Sequence, residues 1–260
     1  MNPVKENNAV ARGVNILTYM AQEKKPVTLT EISKSLGIPK SSALDILYTF
    51  VKKGIIEMDN PDLKTYQLGI KLFTLGAAVV NRNDLQLISQ NYLTKLSEAT
   101  KKTVFMAVPK ENRIIYITKI EGTSPVQYSC SVGADNPMHL TGIGKAYLAT
   151  KSDQEVFELY GPGPYERRTP QTLTTYKELI KDLEKVRERG YAIDDREGVE
   201  FICCLAAPVY NYENKAIASI SVVSIVDEVN DDEREPFAKL LVDTAMGISE
   251  KLGYTRKTLY

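Results

Sequence analysis

The sequence predicts an α+β protein with two cores: three helices and a small hairpin first, then a mixed or antiparallel sheet flanked by helices. Apolar residues at helical spacing dominate the N-terminal part of the chain. Further on, β-branched and aromatic runs alternate with helical patterns without a regular βαβ order, which favours antiparallel or mixed pairing. A length of 260 residues is sufficient for two cores.

The first helix is predicted over Ala9–Ala21. Val10, Val14 and Leu17 recur at helical spacing and are expected to face the next two helices, with Ile16 and Met20 beside them.

The stretch Thr28–Gly54 predicts two short helices joined by a glycine turn. Thr28 and Glu31 have the spacing of a capping box, Gly37 supplies the turn, and Pro39 suits the first turn of the second helix. This is the helix-turn-helix unit that places a helix in the DNA major groove. The expected buried positions are Leu29, Ile32, Leu36, Ala43, Ile46, Leu47 and Phe50.

Two short strands, Ile55–Glu57 and Tyr66–Leu68, are predicted around a turn-rich segment. Three helices followed by a hairpin make a winged helix-turn-helix. Lys64 at the hairpin tip is a candidate DNA contact, although a solvated turn explains its charge equally well. The second helix leaves one face free for DNA: Lys40, Ser41, Ser42, Leu44, Asp45 and Tyr48.

Charge is unevenly distributed although the 33 basic and 33 acidic residues cancel. Residues 1–80 carry 10 Lys and Arg against 7 Asp and Glu, a net of +3, and the other 180 residues carry 23 against 26, a net of −3. Because this basic excess is modest, DNA affinity is expected to depend on geometry and dimerisation as well as charge.

The segment Gly69–Asn81 has apolar residues nearly all round and predicts a helix buried against something outside its own small domain. Packing against the same helix of a second subunit is one interpretation, and a core helix of the second domain is the other. The expected divisions are residues 1–70 for the DNA-binding domain, 71–83 for a linker helix and 84–260 for a second domain.

The second domain is expected to begin with a helix from Asp84 through Leu96. Ser152 with Glu155, and Thr175 with Glu178, predict two further capped helices, the second ending at Gly190. A last helix is predicted over Asp232–Leu252. The predicted strands are Thr103–Val108, Arg113–Ile120, Val126–Val132, Tyr191–Asp194, Ile202–Tyr210 and Ala216–Ile225.

Several function classes are disfavoured by the composition. No apolar run approaches the roughly 20 residues of a membrane span, and residues 1–13 lack the apolar centre of a signal peptide. Cys130, Cys203 and Cys204 are odd in number and two are adjacent, which argues against a disulfide framework. We therefore expect a cytoplasmic protein with no membrane partner.

Four segments together resemble the IclR-type bacterial transcriptional regulators. They are GIPKSSALDILYTFVKKGII, YQLGIKLFTLG, PMHLTGIGKAYLA and GYAIDDREGVEFICCLAAPVYN, and they occur in the family's order over nearly the whole chain. The resemblance implies a GAF-like C-terminal domain that binds a small carboxylate or aromatic acid. It also implies a homodimer or a dimer of dimers on a double-stranded DNA operator.

The resemblance also implies which residues meet the effector. Family members bind the effector through backbone groups at the positions that correspond to Gly142 and Ile143. Other pocket positions in the family correspond to Asp194, Cys204 and Ser221, and, less closely, to Tyr128 and Ile202. Val223 stands where relatives often have a second serine, and Asp45 stands where they usually have a basic residue. For Cys204, a small buried apolar role explains the residue as well as ligand contact does.

Other site chemistry is weakly supported. Residues 141–145, TGIGK, resemble half of a phosphate loop, but Ala146 replaces the magnesium-binding hydroxyl, so no ATP site is expected. His139 is the only histidine, and neither CxxC nor HxxxH spacing occurs, so no metal or other cofactor is expected. His139 is interpreted as a structural residue.

The sequence therefore predicts a ligand-responsive transcriptional regulator, with repression favoured over activation, and not an enzyme. Two alternatives stay open. One is an enzyme on a GAF-like sheet that uses Cys203 or Cys204, and the other is a DNA-binding regulator whose pocket is vestigial.

Overall fold

The computed structural model describes residues 7–23, 25–80, 84–123, 130–226 and 231–260. The chain divides into two compact units, residues 1–83 and 84–260.

In its described residues, the N-terminal unit holds four helices and a three-stranded antiparallel sheet with strand order β1-β3-β2. The short strand β1, which pairs with β3, was not predicted from the sequence. The elements are α1 (Asn8–Gln22), β1 (Val27–Thr28), α2 (Leu29–Leu36), α3 (Lys40–Lys52), β2 (Ile56–Asn60), β3 (Thr65–Leu68) and α4 (Lys71–Val80).

The buried face of α1 differs from the predicted one. Val10 and Val14 are exposed, whereas Ile16 and Met20 are buried with Gly13. A Cβ on Gly13 would meet the ring of Phe50, so α1 approaches α3 on the face where it has its small residue. The sequence pattern alone offered two overlapping apolar stripes, and tertiary packing selects the second.

The helix-turn-helix forms as predicted. Thr28 and Glu31 make both bonds of the capping box, and Gly37 ends α2 in the left-handed conformation that glycine tolerates best. Pro39 differs by one position, since it is the N-cap of α3 rather than its first residue. In α3, Ala43 and Leu47 are fully buried.

The C-terminal unit is a six-stranded antiparallel sheet with strand order β6-β5-β4-β9-β8-β7 and helices on both faces. The predicted α+β class is therefore confirmed. Its elements are α5 (Asp84–Thr100), β4 (Thr103–Lys110), β5 (Arg113–Ile120), β6 (Asp135–Pro137), a 3-10 turn (Met138–Leu140), α6 (Gly142–Leu148), α7 (Asp153–Tyr160), α8 (Tyr176–Arg189), β7 (Ala192–Asp195), β8 (Ile202–Tyr210), β9 (Ala216–Ile225) and α9 (Asp231–Lys251).

The strand predicted over Val126–Val132 is wrong in its described part. Residues 130–132 are not in a strand, and residues 126–129 lie outside the described residues. Gly133, whose φ is 89°, turns the chain, and the edge strand β6 begins only at Asp135. In the described part of this region, the strand that pairs with β5 therefore begins after the predicted range.

Alternation along the strands separates two apolar cores. Met106, Leu205 and Val222 face α5 and α9, whereas Phe105, Ala206 and Val223 face the side of α6 and α8. The capping boxes Ser152–Glu155 and Thr175–Glu178 both form, as predicted, at the starts of α7 and α8. The sheet face toward α6 carries the cavity described next.

Candidate effector cavity and DNA-reading helix

Helix α3 presents a free face beside its buried residues. Leu44 and Tyr48 have exposed fractions of 47% and 68%, which is high for an apolar and an aromatic side chain. The core of the N-terminal unit therefore does not cover this side of α3. The predicted DNA-face residues are exposed at Lys40, Ser41, Leu44, Asp45 and Tyr48, and half-buried at Ser42.

The hairpin between β2 and β3 carries Lys64 at its exposed tip. Asn60 shapes the turn, because its side-chain oxygen accepts from the backbone N–H groups of Asp62 and Leu63 at 2.9 and 3.0 Å. Lys64 adopts a φ of 50°, which fixes the direction in which the chain returns to β3. A role of Lys64 in DNA contact stays a prediction.

Helix α4 carries a highly exposed apolar surface within its unit. Ile70 just before it and Phe73 within it are each 73% exposed, and Leu75 is 52% exposed. This agrees with a helix that does not bury its apolar residues in its own small domain.

A cavity of about 460 Å³, part of it open to solvent, lies in the C-terminal unit between the sheet and the start of α6. Of the described residues that line the cavity, Arg168 is exposed and the others are buried or half-buried. The lining residues are Phe105, Tyr116, Asn136, Leu140, Thr141, Gly142, Ile143, Arg168, Asp194, Gly198, Val199, Ile202, Cys204, Ser221 and Val223.

The structure brings together the effector residues that the sequence predicts. Strand register explains part of this, because Cys204 pairs with Asp194 on one side and with Val223 on the other. Tyr128 lies outside the described residues. The predicted residues that line the cavity are Gly142, Ile143, Asp194, Ile202, Cys204, Ser221 and Val223.

Gly142 permits close approach of α6 to the sheet. A Cβ at this position would meet the backbone N of Asp194 at 3.3 Å and the Cβ of Cys204 at 3.4 Å. Thr141 caps the helix by accepting from the N–H of Gly144 at 3.0 Å. The N–H groups of Gly142 and Ile143 have no acceptor among the described residues, so both are available to a ligand oxygen.

Several lining residues were missed from the sequence. Strand alternation could have predicted Phe105, since it pairs with Ser221 and lies on the same face of the sheet. Arg168 lies in an irregular segment, where no periodicity indicates the direction of a side chain. Asn136 lies in the short strand β6, which was not predicted.

A charge cluster adjoins the cavity through Asp194. The Nζ atom of Lys145, fully buried, lies 2.6 Å from Oε1 of Glu197 and 2.8 Å from Oδ2 of Asp182. Oδ1 of Asp194 accepts from the backbone N–H of Glu197 at 2.8 Å. Lys145 is thus bound by carboxylates, which differs from the phosphate-loop lysine that the TGIGK pattern resembles.

The cluster shifts the titration of its members. Burial raises the pKa of Asp194 to about 6, and Lys145 opposes part of that rise. Burial likewise raises the pKa of Glu197 to about 7, with Lys145 opposing it and Asp194 adding to it. Burial lowers the pKa of Lys145, but the three carboxylates raise it by more, so the net shift is upward. Lys145 therefore stays charged at neutral pH.

The two adjacent cysteines face opposite sides of the sheet. Cys204 lines the cavity, whereas Cys203 lines a second hollow of about 440 Å³ toward α9. Burial raises the pKa of Cys203 to about 11 and raises that of Cys204 well above its ordinary range. Thiols held protonated in this way are poor nucleophiles.

His139 is buried and held by its surroundings. Its Nε2 lies 2.9 Å from the backbone oxygen of Glu166, and its ring contacts Tyr160 and Tyr165. Among the described residues, no group of three or more His, Cys, Asp or Glu side chains is arranged to hold a metal ion. No helix in the described ranges has the length and apolar character needed to span a bilayer.

Comparison with known proteins decides the family. The C-terminal family model of the bacterial transcriptional regulator IclR matches residues 77–250, and the IclR helix-turn-helix model matches residues 9–60. The chain belongs to the IclR family. The family and its helix-turn-helix domain make this IclR protein a DNA-binding transcriptional regulator, as predicted, and the enzyme alternative is not favoured.

Individual relatives agree with the family. The chain is 33% identical over 247 residues to the HTH-type transcriptional regulator XynR of Escherichia coli, covering 95% of this chain and 97% of XynR. The crystal structure of Thermotoga maritima IclR is similar with a TM-score of 0.78 and 27% identity, covering 95% and 99% of the two chains. An IclR homologue from Microbacterium hydrocarbonoxydans complexed with 4-hydroxybenzoate shares the fold with a TM-score of 0.79 at 22% identity, covering 94% and 99%.

Proposed function

We propose that this IclR-family protein is a repressor that binds operator DNA through α3. A small organic acid in the cavity beside α6 releases it from the operator or changes its affinity for the operator. The observation that carries the proposal is the convergence of seven predicted effector residues on one cavity. These residues come from α6, β7, β8 and β9, so their meeting depends on the tertiary fold.

The DNA half of the proposal is supported by the free face of α3. Lys40, Ser41 and Tyr48 are exposed and carry groups that bond phosphates, and Leu44 offers an apolar surface for a thymine methyl. We assign sequence reading to this face and positioning to Lys64 at the hairpin tip.

Dimerisation is part of the proposal because one α3 helix provides few cations. A two-fold dimer presents two reading helices to a palindromic operator. The exposed apolar residues Ile70, Phe73 and Leu75 on and before α4 support a role of this segment in pairing two subunits. The linker would then convert a change in the effector domain into a change in the spacing of the reading helices.

The acid class of the effector is supported by the donors at the cavity. A carboxylate could accept from the N–H groups of Gly142 and Ile143 and from the hydroxyl of Ser221. The similar homologue complexed with 4-hydroxybenzoate, which is an aromatic acid, supports the same ligand class. We place the protein in the cytoplasm with its DNA.

The test is fluorescence anisotropy with labelled DNA from upstream of the protein's own gene, repeated with small acids. We expect specific binding at low salt that at least one acid weakens. Binding that no acid changes, combined with no acid-induced rise in melting temperature, would support the vestigial-pocket alternative instead.

A further inference from the structure

Arg168 gives the cavity a charged end that the effector residues considered above do not provide. It lines the cavity with a side chain that is 35% exposed, whereas Asp194 and Ser221 are almost completely buried. The cavity therefore runs from a buried polar end to a cationic end near solvent.

The backbone of Arg168 is fixed by two buried threonines. The N–H of Arg168 donates to Oγ1 of Thr172 at 3.1 Å, and that hydroxyl donates to the carbonyl of Glu197 at 2.6 Å. The hydroxyl of Thr169 donates to the carbonyl of Arg196 at 2.7 Å. The segment that carries Arg168 is thus bound to the loop after Asp194, which lines the same cavity.

The guanidinium is oriented but keeps free donors. Its Nε donates to Oε1 of Glu166 and its Nη1 to Oδ1 of Asn136, each at 2.8 Å. An arginine has five N–H donors, and in the part of the chain that the structure describes, these two contacts leave the Nη2 group and one Nη1 hydrogen without an acceptor. A planar pair of N–H groups of this kind binds a carboxylate in bidentate fashion.

Apolar side chains also contribute to the lining. Phe105, Ile202 and Val223 line the cavity with the polar groups of Asp194 and Ser221 at the buried end. A small acid with one polar group would bind either the buried polar groups or Arg168, and would forgo the hydrogen bonds that the other end offers, which costs affinity.

We propose that Arg168 is a specificity-determining residue that binds a carboxylate of the effector, so that the preferred effector is an acid with a polar group at each end. Dicarboxylates and hydroxycarboxylates have this chemistry. The proposal rests on the proposed function, because it assigns a ligand class to the same cavity.

The experiment compares two-ended acids with one-ended acids of similar skeleton by thermal shift and calorimetry. The probes are succinate, glutarate, terephthalate and 4-hydroxybenzoate, against butyrate, valerate and benzoate. We expect the preferred two-ended acid to bind wild type at least about tenfold more tightly than its one-ended match, because the one-ended acid lacks the charge-assisted pair with Arg168.

Three variants separate the outcomes. R168Q should lose at least about tenfold in affinity for that acid and with it the preference over the one-ended match. R168K keeps the positive charge but lacks the planar pair of N–H groups, so its affinity for the acid should fall between those of R168Q and wild type. This variant also tests the inference if R168Q does not fold. R167Q is the matched control, because the neighbouring Arg167 is exposed and is not among the cavity-lining residues.

Failure of this inference can be distinguished from failure of the proposed function. If R168Q binds as wild type does while Ser221→Ala loses affinity, the cavity binds the acid and the role of Arg168 is overturned. If no probe acid binds wild type, both proposals are overturned for these ligand classes. Tighter binding of a one-ended acid than of its two-ended match also overturns the inference.

Discussion

The ammonium group of Lys145 lies 2.6 Å from a carboxylate oxygen of Glu197, and both side chains are buried. Lys145 comes from α6, and Glu197 lies in the loop after β7. The pair therefore joins two segments that line the cavity at Gly142 and Asp194.

Replacing Lys145 by Met should destabilise the C-terminal unit strongly. The substitution leaves the buried Glu197 and the half-buried Asp182 without their cation, which costs about 3–5 kcal/mol of unfolding free energy. Chemical denaturation at pH 7 measures the loss. Lys239→Met removes an exposed i,i+4 pair with Asp243 and should cost under about 1 kcal/mol. Equal losses in the two variants would contradict the assigned role of the buried pair.

Asp194→Asn should stabilise the protein increasingly as pH rises. The folded-state pKa of Asp194 is raised from 3.8 to about 6 by burial, so protonation stabilises the folded state below pH 4 and this contribution is lost as pH rises through 6. Asparagine has no such loss and keeps an oxygen for the N–H of Glu197. We expect the variant to gain about 1–3 kcal/mol over wild type between pH 4 and 8.

The control for this pH series is Asp243→Asn, because the Asp243 side chain is 67% exposed. It makes the same chemical change at an exposed position, so the free energy of unfolding of Asp194→Asn is compared with that of this variant at each pH. A stability difference between Asp194→Asn and wild type that does not change between pH 4 and 8 would contradict the raised pKa of Asp194.

Gly144→Ala should disrupt α6 and with it the cavity. A Cβ at Gly144 would overlap the backbone of Met138, which cannot move as a flexible side chain can. Overpacking of this kind costs about 1–3 kcal/mol or more. Gly76→Ala is the control, since its Cβ would meet open space within the N-terminal unit. Thermal melts by circular dichroism should show a loss for the first variant only.

Asp45→Asn should increase affinity for DNA of any sequence at low salt. Asp45 is exposed on α3 between Leu44 and Tyr48, where its carboxylate would be repelled by phosphates. Removing the charge should tighten binding by about two- to fivefold, an energy typical of one exposed charge contact. Glu23→Gln, which follows α1, provides a control with the same change of charge. Anisotropy at two salt concentrations tests the difference, and weaker binding by Asp45→Asn would instead indicate that Asp45 accepts from a base.

Sequence patterns predicted the parts of the molecule that local rules determine. The capping boxes at Thr28, Ser152 and Thr175 formed, and strands β5, β8 and β9 have the predicted bounds. The cavity residues on β8 and β9 followed from resemblance to the family and from strand alternation.

Features that depend on distant segments were missed. The apolar face of α1 was assigned incorrectly because only packing against Phe50 distinguishes its two stripes. The partners of Lys145 are 37 and 52 positions away along the chain, at Asp182 and Glu197, and no local pattern connects them. Arg168 lies in an irregular loop that is held at the cavity by hydrogen bonds, and such a loop has no sequence periodicity that predicts the direction of a side chain.

The central claim is that an acid bound in the C-terminal cavity changes DNA binding by the N-terminal unit. Its most direct test is anisotropy on upstream DNA with wild type and Ser221→Ala, titrated with the acid that most raises the melting temperature of wild type. We predict that the acid shifts the DNA affinity of wild type by at least about fivefold, a typical coupling free energy of 1 kcal/mol or more, and that the Ser221→Ala titration requires higher acid concentrations. An unchanged DNA affinity of wild type at saturating acid would contradict the claim.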